Sequence, residues 1–336
     1  MKRILIGIVG ALMSLTLLGA GTALWGMKEL ETFANRPLQL EQARELELNR
    51  GTNARALGKE LVQQGLLEPS WHYDWYLRLN PAMAGIRQGL YEITPGDTIK
   101  SLLDKLISGK VKDFAITLVE GQTLREWQTK LQTAPRLNWE EDVFIKVLKA
   151  NGDDSGLPEG KFFPDTYSYH ANQNVEKLLS QSYLKMQQEL AAAWQARAVD
   201  LPLASAYELL ILASIIEKET GKAEERPLIA SVFVNRLRKG MRLQTDPTVI
   251  YGMGERFNGN ITRKDLREDT PFNTYRIQGL PPTPIAAPGR EALMAAAQPA
   301  QSDYFYFVSR NDGSHVFSRT LAEHNRAVNQ FQRKQK

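Results

Sequence analysis

The chain has 336 residues, 43% apolar and 24% charged, an ordinary globular make-up with room for more than one core. Its 42 basic and 38 acidic side chains leave a net charge of +4, too balanced to call for a nucleic-acid partner. With no cysteine, disulfides, thiolate metal sites and cysteine nucleophiles are excluded. The histidines, His72, His170, His315 and His324, are scattered and form no zinc-binding pair, so neither a metal nor a cofactor is expected. Phosphate-loop, dinucleotide and nucleophile-elbow motifs are all missing from the sequence.

Lys2 and Arg3 precede an uncharged stretch at 4–25 that is long enough, as a helix, for the roughly 30 Å of a bilayer core. Basic residues before it and Glu29 and Glu31 after it predict a cytoplasmic tip at 1–3 and the bulk of the chain outside the inner (cytoplasmic) membrane, periplasmic or extracytoplasmic. A signal peptide cut near Ala23 is the alternative, but the apolar run is long for that role. Residues 26–51 read as a charged stalk.

Residues 52–112 form a small module. Ala54, Leu57, Leu61 and Val62 give helical spacing over 53–64, and a second short helix is expected over 71–79, stopped by Pro81. Residues 89–94 alternate like a strand, Pro95 and Gly96 mark a turn, and Asp97 or Thr98 caps a helix that buries Ile99, Leu102, Leu103 and Leu106 and ends at Gly109. The pattern over 89–110 resembles the LysM-type modules that bind cell-wall glycan. A scaffold without a ligand fits the same pattern.

Residues 113–336 form the larger domain. A strand is expected at 114–119, a helix at 124–132 and another at 139–149, then a plain loop at 151–156. Phe162, Phe163, Tyr167 and Tyr169 bracket Pro164 and Asp165. They suit a wall for stacking sugars, though such a stretch is more often core and turn. A long amphipathic helix follows at 175–198.

The next stretch, LLILASIIEKETG at 209–221, is the most telling. Ser205 has capping-box spacing to Glu208, and Gly221 is a natural stop, so a helix is predicted over 205–220. Apolar on all faces, it should be buried, with Glu217 emerging at its end. The apolar surround and the negative end of the helix dipole should both raise the pKa of Glu217 and suit it to general-acid work. The plainer reading is a solvated helix tip.

A helix at 223–239 buries Ile229, Val232, Phe233 and Leu237. Asp246 and Pro247 open the element after it, and 258–273 is a long charged loop. Residues 273–288 carry four prolines and should hold Asn273, Thr274 and Tyr275 rigidly. A helix at 289–297, a hairpin turning at 311–313, and a last helix opened by the Thr320–Glu323 capping box complete the chain.

ASIIEKET (213–220), ASVFVNRL (230–237), MRLQTDPTVIYGMG (241–254), NTYRIQGLPPTPIAAPG (273–289) and EGKFFPDTY (159–167) together resemble the endolytic murein transglycosylases of the YceG-like family. The resemblance covers nearly the whole chain. It implies an α+β fold with a single membrane anchor and a cleavage of the MurNAc–GlcNAc β-1,4 bond that leaves a 1,6-anhydro-MurNAc end. It also implies peptidoglycan strands as substrate and work beside peptidoglycan synthases. Glu217 lies where the family has its catalytic glutamate, and Glu219 is a rival that spacing alone does not separate from it. The polar groups inside matching motifs, Asn235, Arg236, Gln244, Asp246, Tyr251, Asn273, Thr274 and Tyr275, become expected substrate contacts. A hydrolysing muramidase using Glu219, Glu224, Glu225 or Asp246 as a second carboxylate, or a non-catalytic wall-binding scaffold, are the other readings.

Overall fold

A computed structural model describes residues 2–333. The fold mixes helices and short strands in two compact units, 1–114 and 115–336.

The first unit opens with helix α1 (Lys2–Ala34). It runs past the apolar stretch without a break, and its end buries Leu30, Phe33 and Ala34 in the core of the unit. Residues 26–51, read above as a stalk, are therefore largely built in. Strand β1 (Arg44–Leu48) also lies there, pairs antiparallel with β2 (Gly89–Ile93), and buries Leu46 and Leu48. The stalk expectation rested on charge, but a strand with one face in water carries charge on alternate residues.

Between these strands lie α2 (Ala54–Gln63), capped by Asn53, and α3 (His72–Leu79). After β2, Thr98 and Ser101 close a reciprocal capping box at the start of α4 (Ile99–Ser108), so Thr98 rather than Asp97 is the cap. Gly109 ends α4 at φ 71°, a left-handed conformation that glycine adopts without strain.

Strand β3 (Asp113–Thr117) leads into the second unit and pairs with β5 (Thr166–His170). Thr123 and Glu126 form the capping box of α5 (Leu124–Gln132). The helix expected from 139 begins only at Val143, as α6 (Val143–Ala150), because Asp142 takes φ 55° and breaks the entry. Just before it, β4 (Leu137–Asn138) pairs in parallel with β6 (Gln173–Asn174), a two-residue ladder too short to leave a sequence period. Phe162, Phe163, Tyr167 and Tyr169 are all buried, which makes them core and turn rather than an open wall for sugars.

Around the central helix α8 (Ala206–Glu219) pack α7 (Val175–Gln195), α9 (Arg226–Arg238), α10 (Asp246–Met253) and α11 (Arg290–Ala297). Every residue of α8 from Leu209 to Ile216 is buried. Each large apolar side chain removed from water in this way contributes about 1.5–3 kcal/mol. The hairpin β7 (Tyr306–Ser309) and β8 (His315–Ser318) turns through Asn311 and Gly313, both at positive φ, and α12 (Leu321–Val328) follows its Thr320 capping box.

One close approach in the first unit gives a stability test. A Cβ on Gly58 of α2 would sit 2.4 Å from Cε1 of Tyr73 on α3. That ring cannot swing away, because it is 5% exposed and its hydroxyl donates to the Ala54 carbonyl at 2.7 Å. Gly58→Ala should destabilise by about 1–3 kcal/mol despite alanine's better helix propensity. Gln63→Ala, at the open end of the same helix, should be close to neutral. Thermal unfolding followed by circular dichroism separates the two, and equal melting temperatures would refute the packing argument.

Candidate active site

Two carboxylates leave the end of α8, and the helix period decides where they go. Glu217 and Glu219 are two residues apart, roughly 200° around the axis, so they emerge on opposite sides. The helix stops because Thr220 turns extended (φ −149°, ψ 137°), and Gly221 supplies no left-handed cap.

Glu217 is enclosed, its side chain only 5% exposed. One oxygen accepts the Gly289 backbone N–H at 2.9 Å, and the other lies 3.4 Å from Nη2 of Arg226. Arg226 is itself buried, also pairs with Glu291, and stands 4.0 Å from Glu120. Glu120 crowds the same place: a Cβ on Gly289 would fall 2.3 Å from its Oε2. Burial raises the pKa of Glu217, as expected, and the Glu120 charge adds to the rise. The Gly289 N–H and the Arg226 guanidinium oppose it. This carboxylate fastens the end of α8 to the start of α11.

Glu219 faces a cavity of about 430 Å³ that it shares with Arg236, Gln244, Thr245, Asp246, Tyr275, Tyr306 and His324. The Thr245 hydroxyl donates to its carboxylate. Burial pushes its pKa up to about 7 and the Asp246 charge helps, against the Thr245 hydrogen bond and the Arg236 charge. A carboxyl near 7 is divided between acid and base forms at neutral pH, the condition under which one group both gives and takes a proton effectively.

Four of the eight expected contact residues line that cavity. Arg236 is buried, bonding through Nε to the Phe305 carbonyl (2.6 Å) and through Nη1 to the Leu243 carbonyl (2.7 Å), and stands over the Tyr306 ring. Gln244 takes φ 51°, an unusual conformation for a side chain larger than glycine, and its amide is held by the Thr274 carbonyl at 3.2 Å. Asp246 accepts the Tyr275 hydroxyl at 2.6 Å.

The other four do not reach it. Thr274 is fully buried behind it, accepting the Thr245 N–H at 3.0 Å and meeting the Thr248 hydroxyl at 2.8 Å. Asn273 is also fully buried, and its amide ties the carbonyls of Asp265 and Glu268, so the charged loop 258–273 is fastened at its far end. Asn235 donates to the Ser302 and Tyr304 carbonyls and secures the approach to β7. Tyr251 donates to Glu159 at 3.2 Å.

Several residues of consequence carried no distinguishing sequence signal. Thr245 and Glu159 lie within motifs quoted above, but neither residue type announces itself. Arg226 and Glu120 are single charges on otherwise unremarked segments. Among the described residues, no group of histidine, aspartate and glutamate is arranged to hold a metal ion.

Residues 46–330 match the model of the YceG-like family. An endolytic murein transglycosylase of Bacillus subtilis is 30% identical over 334 residues, which cover 93% of this chain and 90% of that protein. One from Streptococcus pneumoniae is 26% identical over 316 residues, 83% of this chain and 56% of its relative. The crystal structure of a YceG-like protein of Listeria monocytogenes is similar at a TM-score of 0.54 and 29% identity, covering 85% of this chain and 99% of that one.

The raised carboxyl of Glu219 has a signature in stability. Its folded pKa, about 7, exceeds the ordinary value of 4.5, so its contribution is fully present below about pH 4.5 and is lost as pH rises through 7. The loss amounts to about 3 kcal/mol at most. Glu219→Gln should flatten this decline in calorimetric unfolding between pH 4.5 and 7.5. Glu159, whose carboxyl burial also raises to about 7, accounts for a second share that Glu159→Gln should remove. An unchanged slope in Glu219→Gln would show that the carboxyl is not held in a desolvated site.

Proposed function

The chain belongs to the YceG-like family, and from that premise we propose that it is an endolytic murein transglycosylase in which Glu219, rather than Glu217, moves the protons. The observation that carries this reading is the convergence of Arg236, Gln244, Asp246 and Tyr275 on the cavity of Glu219, while Glu217 is locked against Gly289 and Arg226. The names of the Bacillus and Streptococcus relatives support the activity.

The chemistry needs one carboxyl. Protonated Glu219 gives its proton to the glycosidic oxygen as the bond from C1 of MurNAc breaks. The carboxylate left behind takes the proton of the MurNAc 6-hydroxyl as that oxygen closes on C1, leaving a 1,6-anhydro end and consuming no water. The buried Arg236 and the Thr245 hydroxyl steady the charged form between the two steps. The Tyr275–Asp246 pair offers a hydroxyl and a carboxylate to sugar groups.

Asp246 is also the second carboxylate that a hydrolysing muramidase would call for. Because Asp246 is engaged by Tyr275, we take it as a binding group. The succession of β2 and α4 over 89–108, where the LysM-like pattern lies, supports a glycan-holding role of the LysM type for the first unit. The apolar length of α1 supports a single-pass anchor that keeps the enzyme at the cytoplasmic membrane, with the cavity on the outer side and within reach of peptidoglycan synthases.

Mass spectrometry of products from purified glycan strands tests both the residue and the reaction. The wild-type chain should give anhydro-MurNAc ends. Glu219→Gln should lower the cleavage rate by about 10²–10⁴-fold, the usual worth of general acid–base catalysis. Glu217→Gln should stay within about 10-fold of wild type, since losing one buried charge disturbs packing more than chemistry. The reverse ranking would return the role to Glu217, and reducing ends would make the enzyme a hydrolase.

A further inference from the structure

Helix α3 buries Tyr73, Tyr76 and Leu77 on one side, yet leaves Trp71, its N-cap residue, and Trp75 and Leu79 facing out at 57%, 46% and 55% exposure. These three are spaced i, i+4, i+8 and form one apolar stripe along the helix. Isolated exposed apolar residues need no explanation, but an aligned stripe with two tryptophans does. Arg78 stands 5.1 Å over the Trp75 ring, which places a cation beside the aromatic surface.

The stripe is not remote from α1. Helix α3 packs on α1, and Leu79 shares a concavity of about 450 Å³ with Met27, Met83 and Lys100. Glu31 lies on the same wall. Helix α1 is continuous from its apolar stretch to Ala34, and its last residues are buried in the core of the unit. No flexible joint separates the part long enough to cross a membrane from the part against which α3 is packed. Trp25 and Met27, 66% and 51% exposed, lead from one to the other.

We propose that the Trp71–Trp75–Leu79 face of α3 rests in the interfacial layer of the same bilayer that holds α1, with Arg78 and Lys100 toward lipid phosphates. Tryptophan is the side chain best suited to that layer, its ring amphipathic, and basic groups there meet anionic headgroups. The first unit is then seated at the membrane by two contacts, one spanning and one in the headgroup layer, with the Leu79 end of α3 nearest the span. This inference rests on α1 being a retained anchor.

The absence of cysteine makes the test direct, because any single introduced cysteine is a unique labelling site. Nitroxide-labelled Leu15→Cys, Leu79→Cys and Val199→Cys are prepared in the full chain. Each is reconstituted in nanodiscs of phosphatidylethanolamine and phosphatidylglycerol and read by its relaxation with oxygen and with a water-soluble nickel complex. Val199 is fully exposed on the second unit and reports water, while Leu15 reports the span. The expected result is a Leu79 label favouring oxygen over nickel several-fold more than the Val199 label. A Leu79 label that matches Val199 while Leu15 is lipid-embedded overturns the inference alone and leaves the stripe to a protein partner. A Leu15 label in water overturns the anchor as well.

Discussion

The burial of α8 on every side is the constraint from which the site follows. Leu209 to Ile216 are all buried, so the helix can neither rotate nor slide without exposing apolar surface on one flank. Whatever side chains follow Ile216 are therefore aimed by the core rather than by their own contacts. Two glutamates separated by one lysine are sent to different neighbours. One meets the start of α11, and the other meets the loop that opens α10.

The neighbours differ in kind. On the Glu217 side a guanidinium and a backbone N–H meet the carboxylate, and both favour its charge. On the Glu219 side a hydroxyl and a guanidinium already committed to carbonyls are set against a nearby aspartate. Burial acts on both groups. What separates them is that one is compensated on two oxygens by an adjacent cation and an amide, while the other is left near 7 beside an open volume.

Much of this was legible in the sequence because strong local signals agree with the packing. The α8 run, the caps at Thr98 and Thr320 and the hairpin at Asn311 appear where spacing puts them. The polar residues of 241–254 and 273–275 were legible as motifs, though their division into cavity lining and buried support was not. Asn273 and Thr274 look as polar as Tyr275 in a sequence, and only the fold places two behind the wall and one on it. The choice between Glu217 and Glu219 was illegible for a related reason. Period tells that they diverge, but which side holds Arg226 and which holds a cavity depends on contacts 26 and 72 residues away along the chain. The strand β1 was hidden because its exposed charges outvoted Leu46 and Leu48.

The proline-rich segment 273–289 joins the two sides. Near its start the Thr274 carbonyl holds Gln244 and the Thr274 hydroxyl holds the Thr245 amide, the residue that bonds Glu219. Midway, the Ile285 amide donates to the Ser214 hydroxyl within α8 itself, and at its end the Gly289 amide reaches Glu217. The segment thus wraps the last turn and a half of α8, pinned at three points, with Pro281, Pro282, Pro284 and Pro288 restricting the chain between them. Glu217 is tied into this wrap through the Gly289 amide. Loss of the Glu217 carboxylate frees one pin of three, whereas loss of Glu219 removes the carboxyl that faces the cavity, so the two glutamates of one motif differ in what each one holds.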